Sequence, residues 1–341
     1  MFSIKYPKTL SGIRELVKGM PGEDYEAQEN ARSHERLLTK PRGSLGQLEK
    51  IYEWLATWQK RYPAELNTIQ ILIFAGNHEV SKYGVSAYPS EVTQQMVNNF
   101  EIGGAAINQL SNLLNADLRV IPLKLDTPVK DFTLEPAMGD AECLEAFCSG
   151  MHAVDKNSDL ICLGEMGISN TTAAAALAAI LYGGNAKEWV GLGTGIDDNS
   201  LKRKQEIVDR GLKTHLNSIG DPLKLLCCFG GREFAAIAGA LVAARYLKLP
   251  VMLDGCTCTV AAAVIEFLHT GALNHCMVSH CSAEMGHRKL LNLIKKDSLF
   301  DFKMRLGEAS GAALGAMIVQ AACRVHNGMA TFDEAGVSER E

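Results

Sequence analysis

The chain reads as an α/β fold, a parallel sheet covered by helices on both faces. Two observations predict it. Short, almost wholly apolar runs recur along the 341 residues, at 69–74, 118–123, 160–163, 225–229, 251–253 and 276–278. Such runs mark strands buried on both faces. Most of them end in a Gly-containing polar turn and lead into a helical pattern, which is the repeat of a βα unit. An apolar content of 47% supports a real core, and frequent Gly and Ala suit helices packed closely on a sheet.

The first 62 residues are charged and helical in pattern. Asp24 to Leu38 is spaced as one amphipathic helix. The Pro and Gly of residues 40–46 break it. That segment reads as an inter-helix turn, since it lacks the G-x-x-x-x-G-K-[ST] spacing of a phosphate loop. Gln47 to Trp58 then carries Leu48, Ile51, Tyr52 and Leu55 at helical spacing.

The run 69–74 ends in Ala75-Gly76-Asn77-His78-Glu79, and open α/β sheets place ligands at such strand ends. Lys82 stands where H-E-x-x-H needs its second His, so no zinc motif is present there. Residues 84–89 form a loop, and Glu91 to Asn115 is helical with Gly103-Gly104 inside it. Residues 124–155 are acidic and irregular.

The most informative stretch is 159–182. A strand runs into Gly164-Glu165-Met166-Gly167; Ser169, Asn170 and Thr171 follow, all N-cap formers, and then an Ala-rich helix. A helix N-terminus favours anions, so a carboxylate beside it suggests chemistry; a capped turn with a solvated Glu is the alternative. The glycines at 191, 193 and 195 depart from G-x-G-x-x-G but could bring backbone close to a phosphate, with Lys202, Arg203 and Lys204 on the helix that follows. Glu308 repeats the pattern, between Gly307 and a small-residue helix from Ala312 to Arg324. Cys256, Cys258, His275, Cys276, His280, Cys281 and His287 match none of the usual zinc spacings, so no metal is expected.

The totals exclude several classes. Net charge is −5, from 34 basic and 39 acidic residues, with no basic stripe, so nucleic-acid binding is disfavoured. No apolar run reaches the ~18 residues of a membrane span. Ten cysteines without a signal-like apolar segment read as reduced thiols in a cytoplasmic protein. Residues alone thus point to an α/β enzyme acting on a phosphorylated small molecule, with a carboxylate as general base.

Eight separated motifs carry a resemblance across about residues 36–325. They are KPRGSLGQLE (40–49), AGNHEV with GVSAYPSEVTQQM (75–96), GEMGISNTTAAAAL (164–177), GTGIDD with RK (193–204), GGREFAAIAGA (230–240), LDG (253–255), SHCSAEMGH (279–287) and RLGEASGAAL (305–314). With these the chain resembles the nicotinate-nucleotide:dimethylbenzimidazole phosphoribosyltransferase family. The resemblance implies a Rossmann-like large domain, 63–310, and a small helical domain from both chain ends, 1–62 and 311–341. It implies a dimer, homomeric or formed with a paralogue, with the site near the subunit interface and no metal or other cofactor. The reaction it implies moves phosphoribose from nicotinate mononucleotide to an aromatic acceptor, inverting C1′.

The same resemblance implies roles. Glu308 matches the general base and Glu165 the second carboxylate. Gly167, Asn170, Thr171, Gly193, Thr194, Gly195, Lys204, Asp254 and Ser282 match the nucleotide and phosphate positions. Ser86, Tyr88, Gln95 and Met166 match those flanking the acceptor base. The chain departs from the family at Asn77 and Glu79 (usual AGDHG), Leu192 (usual GRGTG), Ala309 and Ser310 (usual GEGTGA) and Met285 (usual EPGH). Glu79 beside the base-flanking loop could alter acceptor choice among benzimidazoles, purines and phenols. The alternative is therefore a subunit of a heteromeric paralogue that activates phenols, or its non-catalytic partner.

Overall fold

The computed structural model describes residues 5–193, 195–216 and 220–338. Three helices lead: α1 (Leu10–Lys18), α2 (Tyr25–Glu35) and α3 (Gln47–Gln59). Then come β1 (Ile69–Ala75), a 3₁₀ turn (Glu79–Tyr83), α4 (Val92–Glu101), α5 (Ala106–Leu114), β2 (Asp117–Pro122), α6 (Asp140–Ala153) and β3 (Leu160–Met166). The middle of the chain is helical: α7 (Asn170–Tyr182), α8 (Ala186–Trp189), α9 (Asp198–Thr214), α10 (Pro222–Phe229) and α11 (Arg232–Leu247). The last part holds β4 (Val251–Leu253), α12 (Cys256–Leu268), β5 (Cys276–His280), α13 (Met285–Leu293), β6 (Ser298–Phe300), α14 (Ser310–Gly328) and α15 (Phe332–Ala335).

The strands form one parallel sheet in the order β2-β1-β3-β4-β5-β6. Period-two alternation divides the strand side chains between two apolar cores. Leu72, Phe74, Ile161, Leu163, Val251 and Leu253 enter one, with side chains of α6, α7, α11 and α12. Ile71, Ile73, Ala75, Leu160, Cys162 and Met252 enter the other, with α3, α5 and α14. Burial on both faces explains why these strands read as unbroken apolar runs. No helix among the described residues is long and apolar enough to cross a membrane.

Three expectations change. Leu225–Phe229 is not a strand but the end of α10, which Asp221 caps through the N–H groups of Leu223 and Lys224, with Pro222 in the first turn. A short buried apolar run does not by itself distinguish strand from helix. The helix expected over 91–115 is two, α4 and α5, parted at Gly103 with φ of +83°. The sheet also gains β6, a short half-exposed edge strand.

The order of the sheet sets the position of the site. From β1 the chain goes to one edge, β2, and then returns to the other side of β1 as β3. Ligands favour the carboxyl ends of strands at such a reversal. Here Gly76 donates its N–H to the carbonyl of Met166 at 3.0 Å, tying the ends of β1 and β3 together.

Candidate active site

Beyond the carboxyl ends of β3, β4 and β5 lies a cavity of about 740 Å³. Glu165 and Met166 enter it from β3, Gly167, Asn170 and Thr171 from the start of α7, and Gly255 and Cys256 from the start of α12. His280, Ser282 and Glu284 follow β5, and Arg305 to Glu308 precede α14. The opposite wall is one face of α4, carrying Val92, Met96 and Asn99. Their spacing of four and three residues puts them in one row.

Glu308 owes its position to an unusual backbone. Gly307, Glu308 and Ala309 have φ of +83°, +61° and +61°. Left-handed conformation costs a non-Gly residue about 1–2 kcal/mol, so two in succession require outside support. Part of it comes from β3: Glu308 donates its N–H to the carbonyl of Glu165 at 3.2 Å. Part comes from the end of β4, where Asp254 Oδ1 accepts the N–H groups of Gly311 and Ala312 at 2.8 and 3.1 Å. The turn also rests on bare backbone. A methyl group on Gly164 would lie 2.3 Å from the Ala309 nitrogen.

The two carboxyls are buried, at 8% and 5% exposure for Glu165 and Glu308. Burial, and next the charge of Asp254, push Glu308 up to about 7. The same two causes push Glu165 up to about 8, against the opposing hydrogen bond from Asn170. The Asn170 amide donates to Glu165 Oε2. Asn170 is thus occupied, and Ser169 does not cap α7 with its side chain; its φ of +75° places it in the left-handed region instead.

Lys204 is wholly buried under the glycine turn. Its Nζ donates to Thr171 Oγ1 at 2.8 Å and to the Gly191 carbonyl at 3.3 Å. Burial lowers its pKa, while the carboxylate of Glu284 works in the opposite direction. Glu284 Oε1 accepts the Gly193 N–H at 2.7 Å, and Arg305 Nη1 donates to the Gly193 carbonyl at 2.6 Å. Gly193 and Gly195 have φ of +55° and +121°. Thr194 lies outside the described residues.

Of the residues singled out in the sequence, Glu165, Glu308, Met166, Gly167, Asn170, Thr171, Ser282 and Tyr88 line the cavity. The others do not. Asp254 is fully buried, and its Oδ1 holds the start of α14. Lys204, Gly193 and Gly195 stand back from it, and the Gly193 N–H is already taken. Ser86 stands outside the lining, where its Oγ accepts the Tyr88 N–H at 3.3 Å. Gln95 is exposed, because its position on α4 turns it away from the row of Val92, Met96 and Asn99. That row, with Glu284, Arg305 and His280, had no role assigned from sequence. Helical spacing could have found the row; nothing short of the fold could bring Glu284 to Gly193.

Of the departures from the family pattern, Ala309 and Ser310 directly follow Glu308 in the turn at the cavity wall, whereas Glu79, Asn77 and Leu192 stand outside the lining. Glu79 is exposed and pairs with Lys82 at 3.7 Å. Asn77 donates to the Leu125 carbonyl at 3.1 Å, and Leu192 is exposed outside the lining. Among the described residues, no group of three or more His, Cys, Asp or Glu is placed to hold a metal ion.

Comparison with known proteins agrees with this architecture. A family model described as "Phosphoribosyltransferase" matches residues 20–337. The nicotinate-nucleotide–dimethylbenzimidazole phosphoribosyltransferase of Mesorhizobium japonicum is 51% identical over 333 residues, covering 98% of this chain and 99% of the relative. Its namesake from Allorhizobium ampelinum is 48% identical over 326 residues, 96% of either chain. The crystal structure of the Thermus thermophilus protein of that name superposes with a TM-score of 0.86 at 36% identity, covering 93% of this chain and all of the other. The chain belongs to the nicotinate-nucleotide–dimethylbenzimidazole phosphoribosyltransferase family.

Proposed function

We propose that this chain transfers phosphoribose from nicotinate mononucleotide to a benzimidazole-type base, releasing nicotinate and an α-riboside phosphate. The single observation that carries the proposal is Glu308, a buried carboxyl held on a left-handed turn at the cavity wall in a chain of this family. Nicotinate on C1′ is a pyridinium and leaves without an acid. One ring nitrogen of the acceptor attacks through its lone pair, the other must lose its proton for the riboside to be neutral, and Glu308 takes that proton. A pKa near 7 suits a base working near neutral pH. Glu165 and Asp254 are close carboxylates, and like charges resist ionising together. Glu308 and Glu165 are both raised by burial and by the charge of Asp254; Glu308 is assigned as the base, as the resemblance implies, and Glu165 as the neighbouring carboxyl.

Lys204 supplies positive charge beneath the glycine turn, where the phosphate is assigned. Val92 and Met96 of α4, with Tyr88 and Met166, receive the acceptor ring. The exposed positions of Glu79 and Leu192 offer no support for a phenolic acceptor or for a non-catalytic partner subunit. A dimer, a cytoplasmic location and a helical unit built from 1–62 and 311–341 belong to the same proposal.

The test is a product assay by mass spectrometry. The purified protein receives nicotinate mononucleotide with dimethylbenzimidazole, adenine, phenol and p-cresol together. An α-N-riboside phosphate supports the proposal; an O-riboside phosphate, or no product, contradicts it. Light scattering of the same sample reads the oligomeric state.

A further inference from the structure

Asp254 is a buried carboxylate set among other acids. Its charge acts on Cys162 and Glu165 of β3, on Cys258 of α12 and on Glu308 before α14. Each of these groups is neutral or negative. A buried carboxylate is costly unless it is paired. Backbone supplies part of the compensation, since Oδ1 accepts the N–H groups of Gly311 and Ala312. Oδ2 has no hydrogen-bond partner among the described residues. The remaining contact comes from β5, where His280 sets Nε2 3.5 Å from Oδ1. Among the described residues, His280 is the only side chain paired with the Asp254 carboxylate.

The imidazole is fixed in place. His280 is 1% exposed, ends β5 and lines the cavity. Its ring stacks on Phe300 of β6 at 5.9 Å and meets the His287 ring of α13 edge-on at 6.5 Å. Two bare glycines let it approach Asp254. A methyl group on Gly311 would lie 2.1 Å from His280 Cδ2 and 2.7 Å from Asp254 Oδ1, and one on Gly255 would lie 3.0 Å from Nε2. Oδ1 already accepts two N–H groups and has no proton to give, so the Nε2 facing it carries one. His287 cannot take this part. Its Nδ1 accepts the Ser282 N–H at 2.8 Å, its Nε2 meets Thr259 Oγ1 at 3.0 Å, and burial holds its pKa down at about 3.

We propose that His280 is a positioning residue for the site: it pins the Asp254 carboxylate between the ends of β4 and β5 and the start of α14, and it offsets the Asp254 charge. The inference rests on the reading of Glu308 as the base, and it deepens that reading by naming what governs the base. Asp254 opposes the ionisation of Glu308, so a group that offsets Asp254 helps Glu308 to ionise. The sign is the same for a neutral imidazole donating its N–H and for an imidazolium. His280 thus acts on proton transfer through Asp254. Glu165 and Arg305 share the cavity wall with Glu308 and stay unchanged in the single and double variants of His280 and Asp254 below.

The experiment is the pH profile of kcat/KM with nicotinate mononucleotide and dimethylbenzimidazole. It compares the wild type, His280→Phe, His280→Gln, Asp254→Asn and the Asp254→Asn/His280→Phe double variant, each checked by thermal melting. Phe keeps a ring but has no N–H, so the acid limb should move to higher pH. The displacement should be roughly half a pH unit, because a directly facing charge moves a carboxyl by about 1–3 and here the effect passes through Asp254. Gln places an amide N–H near the position of Nε2 and should return the limb toward the wild type. In the double variant the limb should stay where Asp254→Asn alone puts it, because the charge to be offset is gone. Should His280→Phe not fold, His280→Asn, whose shorter amide does not reach Asp254, replaces it in the same cycle. A limb left at the wild-type pH, or displaced equally in the Asp254→Asn background, means that His280 serves packing alone and overturns the inference. Glu308→Gln is run beside them. If it loses turnover while the His280 limb is unmoved, only this inference is wrong; if it turns over like the wild type, the reading of Glu308 as the base falls and the inference with it.

Discussion

Asp254 Oδ1 accepts the N–H of Gly311 at 2.8 Å, so the end of β4 grips the helix that follows the catalytic turn. The same carboxylate is the second cause of the raised pKa of both Glu308 and Glu165. One buried group therefore does two things. It caps α14, and it sets how readily the site carboxyls ionise.

Asp254→Asn separates those roles. An amide oxygen still accepts the Gly311 and Ala312 N–H groups, but the negative charge is gone. Wild-type kcat/KM should fall as pH drops below about 7, where Glu308 takes up a proton. Without the Asp254 charge Glu308 ionises more readily, so this acid limb should move to lower pH. His280, Glu165 and Arg305 also line the cavity, and none of them is altered. An unmoved limb in the measured pH profile would remove Asp254 from any tuning role.

Stability should follow pH in a related way. Both Glu165 and Glu308 have folded pKa values above the ordinary 4.5. A raised acid binds its proton more tightly in the folded state, so its contribution is full below the unfolded pKa. It is lost as pH rises through about 7 to 8. Glu165→Gln should therefore melt a few degrees higher than the wild type at pH 8.5, with the difference closing by pH 5. Scanning calorimetry at those two pH values checks this; a difference independent of pH contradicts it.

Gly164→Ala tests the packing under the turn. The added carbon would meet the Ala309 nitrogen at 2.3 Å, far inside contact distance. Overpacking a rigid site costs about 1–3 kcal/mol. The variant should lose most activity and melt lower, both read from one purified sample. Wild-type activity would show that β3 does not support the turn.

Lys204→Met should act on binding more than on chemistry. The lysine lies beneath the glycine turn, bonded to Gly191 and Thr171, and stands outside the cavity lining. Steady-state kinetics should show KM for nicotinate mononucleotide raised by roughly tenfold or more, with kcat changed less. A change confined to kcat would move Lys204 from substrate binding to the chemical step.

Much of the fold could be read from sequence, because strands buried on both faces leave unbroken apolar runs at 69–74, 160–163 and 251–253. Two elements could not. Ser298–Phe300 is too short and too exposed to form such a run. Leu225–Phe229 forms one inside a helix, although Asp221-Pro222 just ahead was a helix-start signal. In the site, glycines framed Glu165 and Glu308 and made them visible. Asp254, Gln95 and Ser86 were visible as motif members, but their facing depends on how α4, β4 and α14 pack. Glu284 and Gly193 are 91 positions apart, and only the fold joins them.

The most direct measurement of the central assignment is kcat/KM of Glu308→Gln with nicotinate mononucleotide and dimethylbenzimidazole, beside a melting curve. Loss of a general base costs about 10²–10⁴ in rate, and the Gln variant should lose that much while melting no lower than the wild type at pH 8. Turnover within a few-fold of the wild type would mean that another group takes the proton, and that the left-handed turn serves something other than catalysis.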